Sequence, residues 1–423
     1  MGMTSMPAAS TLHHRLRRMT GRDLAQKHRS ATPLELLFDL TFVVAFGQAA
    51  DQLAHYVAEG HLQPALTGFA FTMLVVVWAW VNFSWFASAY DTDDWLFRVL
   101  TMVQMVGVLV LTLGIPALFE SLDEGLPFDN GVMVAGYVVM RVALVGQWVR
   151  AAVQDPVRRR TALTYAGMVF VAQVAWTVLF LIRAAPLWLV VPVIVVAAVL
   201  EFTAPIVGER RRGGTPWNAG HIAERYGLLV IIALGESIFG TVASVSAIIQ
   251  ESGWSTEAVL IVVAGTGLTF GMWWSYFILP SAEVLSVRRE RSTTWSYLHL
   301  VIYASIAAIG AGLHVAAYVI GDHAEIDETA ALYAVVIPVT LFLFAVFGLY
   351  SYLVRALDAF HGLLVAGVLA TLAASVVLVA NGASIGTGLI VVMAAPFIVV
   401  VGYEVLGYRH EAAVLARIGE TAR

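Results

Sequence analysis

Two carboxylates, Glu35 and Asp39, open the stretch "TPLELLFDLTFVVAF", which then stays apolar for long enough to enter a lipid bilayer. A spacing of i, i+4 sets both acids on one helix face, and Pro33 just ahead suits a first helical turn. Acids so placed either mark the cytoplasmic entrance of a polar path for protons or cations, or cap the positive end of the helix, worth about 0.3–1 kcal/mol. Asp39 lies a turn deeper and fits the cap less well. On the other side of the same helix Thr41, Gln48, Asp51, Gln52 and His55 form a polar stripe toward its far end. A helix polar on two sides is expected at the centre of a bundle rather than against lipid.

Other ionisable residues fall within apolar runs, where even lenient insertion scales give about 2.5–3.5 kcal/mol for an Asp, Lys or Arg at mid-helix. The stretch "HIAERYGLLVIIALGES" sets His221, Arg225 and Glu236 in one sector of a helix, with Glu224 beside them. Arg225 and Glu236 stand roughly 16 Å apart along the axis and do not pair directly. Glu236 therefore needs a partner, a proton or water. It is either a proton or cation site or a neutral carboxyl hydrogen-bonded between helices. Arg141 also falls near mid-membrane, with Tyr137 and Trp148 near its face, and arginine keeps its charge. Glu236 is its preferred partner and Asp51 the next. His299, Tyr303, Gly310 and His314 share a stripe, but the two histidines, about 22 Å apart at helical rise, are too distant for one metal. They read first as hydrogen-bonded structural groups, with proton transfer as the alternative. Glu201 and Glu404 read as interfacial.

The elements that must hold these residues are membrane-spanning helices. The chain of 423 residues is 60% hydrophobic and 13% charged, with mean hydropathy +0.82 and net charge −5. Soluble domains are about 45–50% apolar and about a quarter charged. The apolar residues come in blocks of roughly 20, the length a helix needs to cross a bilayer, whereas a membrane β-barrel would show alternating segments of about ten. The fold class expected is an all-α polytopic membrane protein. There are no cysteines, which removes disulfides, iron–sulfur clusters, thiolate metal sites and cysteine nucleophiles. No HExxH, P-loop or G-x-S-x-G pattern occurs, so no cofactor, metal site or enzymatic activity is expected.

Hydropathy marks twelve segments, at 34–57, 64–88, 96–119, 131–153, 161–182, 186–206, 222–249, 257–279, 296–320, 330–353, 360–380 and 384–407. Basic residues recur in alternate connections: Arg15, Arg17, Arg18, Arg22, Lys27 and Arg29, then Arg98, Arg150 and Arg158 to Arg160, then Arg210 to Arg212, Arg288, Arg289, Arg291, Arg355 and the tail. The other connections are acidic, with Arg183 their one basic residue. This bias predicts a multi-pass protein of the bacterial inner membrane with both termini cytoplasmic. The first 30 residues show no cleavable signal. The arginine runs read as orientation signals and contacts to anionic lipid, not as a nucleic-acid surface. The organisation expected is a basic segment at 1–30, a first six-helix half at 31–206, a linker at 207–221, a second half at 222–407 and a tail at 408–423. The two halves share a pattern: charge at the cytoplasmic mouth, then Gly beside a polar residue (Gly47-Gln48, Gly235-Glu236), then an aromatic cluster closing the second helix of each half. Either a duplication of the same orientation or the general likeness of membrane helices explains this.

"TPLELLFDLTFV" followed in mid-chain by "HIAERYGLLVIIALGESI" resembles the bacterial low temperature requirement protein A family, over about residues 30 to 407. The positions matching its motifs are Thr32, Pro33, Glu35, Phe38, Asp39, His221, Glu224, Arg225, Gly235 and Glu236. The resemblance implies an inner-membrane protein associated with growth in the cold, and it brings no biochemical activity with it. Phe38-Asp39 at the head of the first helix is also similar, over a few residues, to the Phe-Ser-Asp motif of the lysosomal and bacterial potassium channel family. The leading functional expectation is a proton- or cation-coupled secondary transporter of a small solute. An ion channel along the first helix and a lipid-handling or membrane-adaptation role are the alternatives. The expected partners are the lipid bilayer, a small solute or ion and a further copy of the chain.

Overall fold

The computed structural model describes residues 16–22, 29–183, 185, 187–211, 214–355 and 359–421. Arg15 and Lys27 of the basic segment, Pro186, and Arg212 of the linker lie outside the described residues. The helices are α1 (Pro33–Ala58), α2 (Leu62–Tyr90), α3 (Trp95–Leu113), α4 (Ile115–Asp123), α5 (Gly131–Gln154), α6 (Arg159–Leu181) and α7 (Leu187–Glu209), then α8 (Ala219–Ser252), α9 (Thr256–Phe277), α10 (Ser281–Val287), α11 (Ser292–Ile320), α12 (Glu328–Val354), α13 (Ala359–Ala380), α14 (Ile385–Gly402) and α15 (Tyr408–Thr421). Twelve segments are long and apolar enough to cross a membrane, and each overlaps one of the twelve read from hydropathy. No strand occurs among the described residues. The protein is an all-α, multi-pass membrane protein.

Polar side chains at the loop exits start these helices. Thr32 and Glu35 form a reciprocal capping box at α1. Asp94, Asn218, Ser255, Asp327 and Ser384 each accept a backbone N–H in the first turn of α3, α8, α9, α12 and α14. The third span is two helices, because Gly114 and the following Ile115-Pro116 end one and begin the next.

Helices α1, α2, α8 and α11 pack on one another at the centre, whereas α7 and α13 keep most of their apolar surface outward. Helix α1 touches α2, α3, α4, α8 and α11, as its polar composition requires, yet keeps a narrow outward strip of Leu36, Leu37, Leu40 and Val44. Helices α1 and α8 run parallel, since Glu35 faces His221, Asp39 faces Arg225 and Gly47 faces Glu236. Arginines of the amino-terminal segment do more than orient the chain. Arg29 donates to the carbonyls of Ala87 and Ser88 at the C-terminus of α2, and Arg18 to the Gln154 carbonyl at the end of α5, where cations offset the helix dipole. In the linker, Thr215 and Trp217 are buried.

Glycine permits close helix crossings. A Cβ on Gly136 of α5 would collide with the Gly107 carbonyl and the Leu111 backbone of α3, whereas one on Gly146 would meet nothing within 4 Å. Gly136→Val is expected to destabilise the protein by about 1–3 kcal/mol through overpacking. Gly146→Val should be close to neutral. Thermal unfolding of the two purified variants in the same detergent checks the contrast.

Candidate functional site

Glu35, Asp39, His221 and Arg225 meet at the amino-terminal ends of α1 and α8, all without solvent exposure. Thr32 caps α1 one turn ahead of Glu35, and Asn218 caps α8 one turn ahead of His221. With both helices starting in step, the two acids and the His-x-x-x-Arg pair arrive at equal depth. Arg225 donates from Nε to Asp39 Oδ2 at 3.2 Å and from Nη2 to Asp39 Oδ1 at 2.5 Å, a two-point fork. Its Nη1 stands 3.1 Å from Glu35 Oε1 as an ion pair. Trp80 Nε1 donates to Asp39 Oδ1 at 2.6 Å, and His221 Nε2 lies 3.2 Å from Glu35 Oε2. Arg29 completes the balance, 3.5 Å from both Glu35 and Asp91. Two arginines thus face Glu35 and Asp39 inside a sealed volume. Neither acid lines an open path in this structure.

An aromatic layer closes the space beyond the cluster. Trp80 packs edge-on against Tyr226 and Tyr303 at centroid distances of 4.8 and 5.7 Å, and Phe46 lies 6.4 Å from Tyr303. Toward the outer side of this layer α1, α8 and α11 converge on a second polar set. Asp51 Oδ1 and His314 Nδ1 lie 3.4 Å apart, with the Asp51 side chain 56% exposed. Glu236 is half-buried and within electrostatic reach of both. Its carboxylate fills the space of an absent side chain, because a Cβ on Gly47 would stand 2.8 Å from Glu236 Oε1. Among the described residues Glu236 has no hydrogen bond or ion pair, and the buried His314 Nε2 has no partner. Gln48 is half-buried one residue beyond Gly47.

Arg141 does not pair with Glu236. It binds Glu201 of α7, and its Nη2 donates to Tyr137 Oη at 2.5 Å. Helix α7 continues to Glu209, so Glu201 lies about 12 Å from its C-terminal end, close to the depth of Arg141 and not at the helix terminus. Trp78 Nε1 also donates to Glu201, at 2.7 Å. Helix α5 packs on α3 and α6, away from α8, and leaves Glu236 out of reach. Trp148 stacks on Tyr165 rather than on Arg141. His299 is tied off between Tyr276 Oη at 2.9 Å and the Trp295 carbonyl at 2.8 Å, as a structural histidine would be. His55 is exposed and lies 3.5 Å from Glu59, and Glu224 is exposed in the first turns of α8.

Arg29, Trp80, Asp91 and Glu201 belong to these networks, yet the sequence does not mark them as site residues. Arg29 looks like one more orientation signal, and only its place six residues before Glu35 hints at an ion pair. Outside the spans, burial and the nearby Glu35 push the Asp91 carboxyl from 3.8 up to about 6, against the pull of Arg22 and Arg29. Burial also raises Asp94, but hydrogen bonds from Arg150 and from the Phe97 and Arg17 amides outweigh it and bring that carboxyl down to about 2.

Twelve apolar helices around an internal ionic network define a polytopic helical membrane protein. The chain belongs to the bacterial low temperature requirement A protein (LtrA) family, whose model matches residues 30–396. It is 28% identical over 296 residues to an uncharacterized protein of Rhizobium meliloti (strain 1021), a match covering 66% of this chain and 67% of that protein. No solved structure matches it.

Arg225→Leu strips the counter-ion from two buried carboxylates and is expected to cost about 3–5 kcal/mol of stability. Glu236→Gln, which removes no pairing, should leave the unfolding midpoint nearly unchanged; chemical denaturation in detergent reads both. A pH dependence follows from Asp91. Its raised value favours the fold while the group is protonated, and that contribution is lost as pH rises through about 6. Asp91→Asn should flatten the fall in unfolding temperature between about pH 4 and pH 6, as a pH series of melts would record.

Proposed function

We propose that this protein is a secondary transporter coupled to protons or a monovalent cation, and not an enzyme, with Glu236, Asp51 and His314 as its coupling site. One observation carries the reading: the Glu236 carboxylate, midway along α8, has no hydrogen bond or ion pair among the described residues. Asp51 lies within its field, so two carboxylates share one imidazole in a low-dielectric setting. A proton or a cation must close that balance, and its arrival and departure change the charge on three helices at once. The sealed cluster at the cytoplasmic end and the aromatic layer over it separate this site from the cytoplasm. That separation is the state an alternating-access carrier needs when it opens to one side only. A continuously open channel would need a polar path through the same layer. The chain is oriented with both termini in the cytoplasm of a bacterial inner membrane, in keeping with its alternating basic connections.

Proteoliposomes on a solid-supported membrane, given a pH jump, are expected to yield a transient charge displacement that disappears in Glu236→Gln and persists in His55→Gln. Equal currents from the parent and Glu236→Gln would refute the coupling role, and unitary channel openings would replace the carrier with a pore.

A further inference from the structure

At the cytoplasmic end, a crevice lies where α2, α5, α6 and α7 meet α11, that is, where the parts of the chain before and after the linker come together. Its walls include Trp85, Trp148, Tyr165 and Tyr297, with Glu209 and Thr215 at one side. Trp148 and Tyr165 stack face to face with centroids 4.4 Å apart, which holds both rings rigid beside the crevice. The Trp85 indole is anchored by its Nε1, which donates to Tyr226 Oη at 3.0 Å. Glu209 accepts from Tyr165 Oη at 3.0 Å, from Thr215 Oγ1 at 2.5 Å and from the Thr215 amide at 3.1 Å. These bonds hold the carboxylate in place without neutralising it. No Lys, Arg or His among the described residues forms an ion pair with it. A cation within its field, Arg289, is engaged elsewhere: it lies 3.6 Å above the Trp217 ring and donates to the Trp217 carbonyl.

A carboxylate fixed among aromatic walls selects against small hard ions, which need six or more oxygen ligands. It suits a cation whose charge is spread over carbon, attracted by the ring faces as well as by the acid. We propose that this crevice binds an organic cation of the alkylammonium class, with Glu209 as its counter-ion and Trp85, Trp148, Tyr165 and Tyr297 as its walls. As the mouth through which a transported solute arrives, the crevice rests on the carrier reading; as a binding site it stands alone.

Tetramethylammonium chloride titrated into the purified full-length protein, against sodium chloride at equal ionic strength, tests the proposal. Saturable tryptophan quenching is expected with tetramethylammonium and not with sodium, with matching heats in calorimetry. Glu209→Gln should weaken binding at least about tenfold while the protein stays monodisperse. Should that variant fail to fold, Trp85→Leu gives a second reading, with the same loss expected. The proposal is overturned if tetramethylammonium gives no saturable signal, if sodium matches it, or if a folded Glu209→Gln or Trp85→Leu protein binds as the parent does. Glu236→Gln should bind tetramethylammonium normally, so loss of pH-driven currents in that variant bears on the coupling site alone.

Discussion

Arg225 is held by two carboxylates where water does not reach it, and that contact decides how the helices α1 and α8 meet. A guanidinium in hydrocarbon has to be neutralised by the protein itself, and so does each acid. Only one alignment of α1 against α8 satisfies all three groups, with Glu35 opposite His221 and Asp39 opposite Arg225. The same alignment brings Gly47 against Glu236 further along. The outer carboxylates are therefore positioned by an ionic clamp at the opposite end of the same two helices.

The two polar regions are treated in opposite ways. At the amino-terminal ends of α1 and α8 the charges are paired, forked and sealed by Trp80 and Ser84. At the outer end three ionisable groups gather around glycine-made space, and one of them stays unpaired among the described residues. Arg141 and Glu201 add a third ionic contact, peripheral to both, which ties α5 to α7 and to Trp78 of α2.

Much of this is legible in the sequence. Twelve runs of hydrocarbon set the fold, because a bilayer tolerates few other solutions. The importance of Glu35, Asp39, Arg225 and Glu236 follows from the expense of placing charge among apolar residues. Pairing is harder to read. Depth alone matches Arg141 to Glu236, but depth depends on where a helix ends, and α7 runs on past residue 206 to Glu209, which moves Glu201 inward to meet Arg141. Arg29 is hidden by the company of other arginines. Lateral position, which decides that α5 lies near α7 and not near α8, leaves no periodic mark along a chain.

The distance in sequence between the clamped partners has a consequence for biogenesis. Asp39 and Arg225 are separated by 186 residues, so at about 5–20 residues per second the first helix waits roughly ten to forty seconds for its counter-ion. During that interval the nascent chain holds two bare acids, and Arg29, made moments earlier, is the cation at hand. Ribosome and insertion machinery must therefore keep the head of this helix near the headgroups until the eighth arrives.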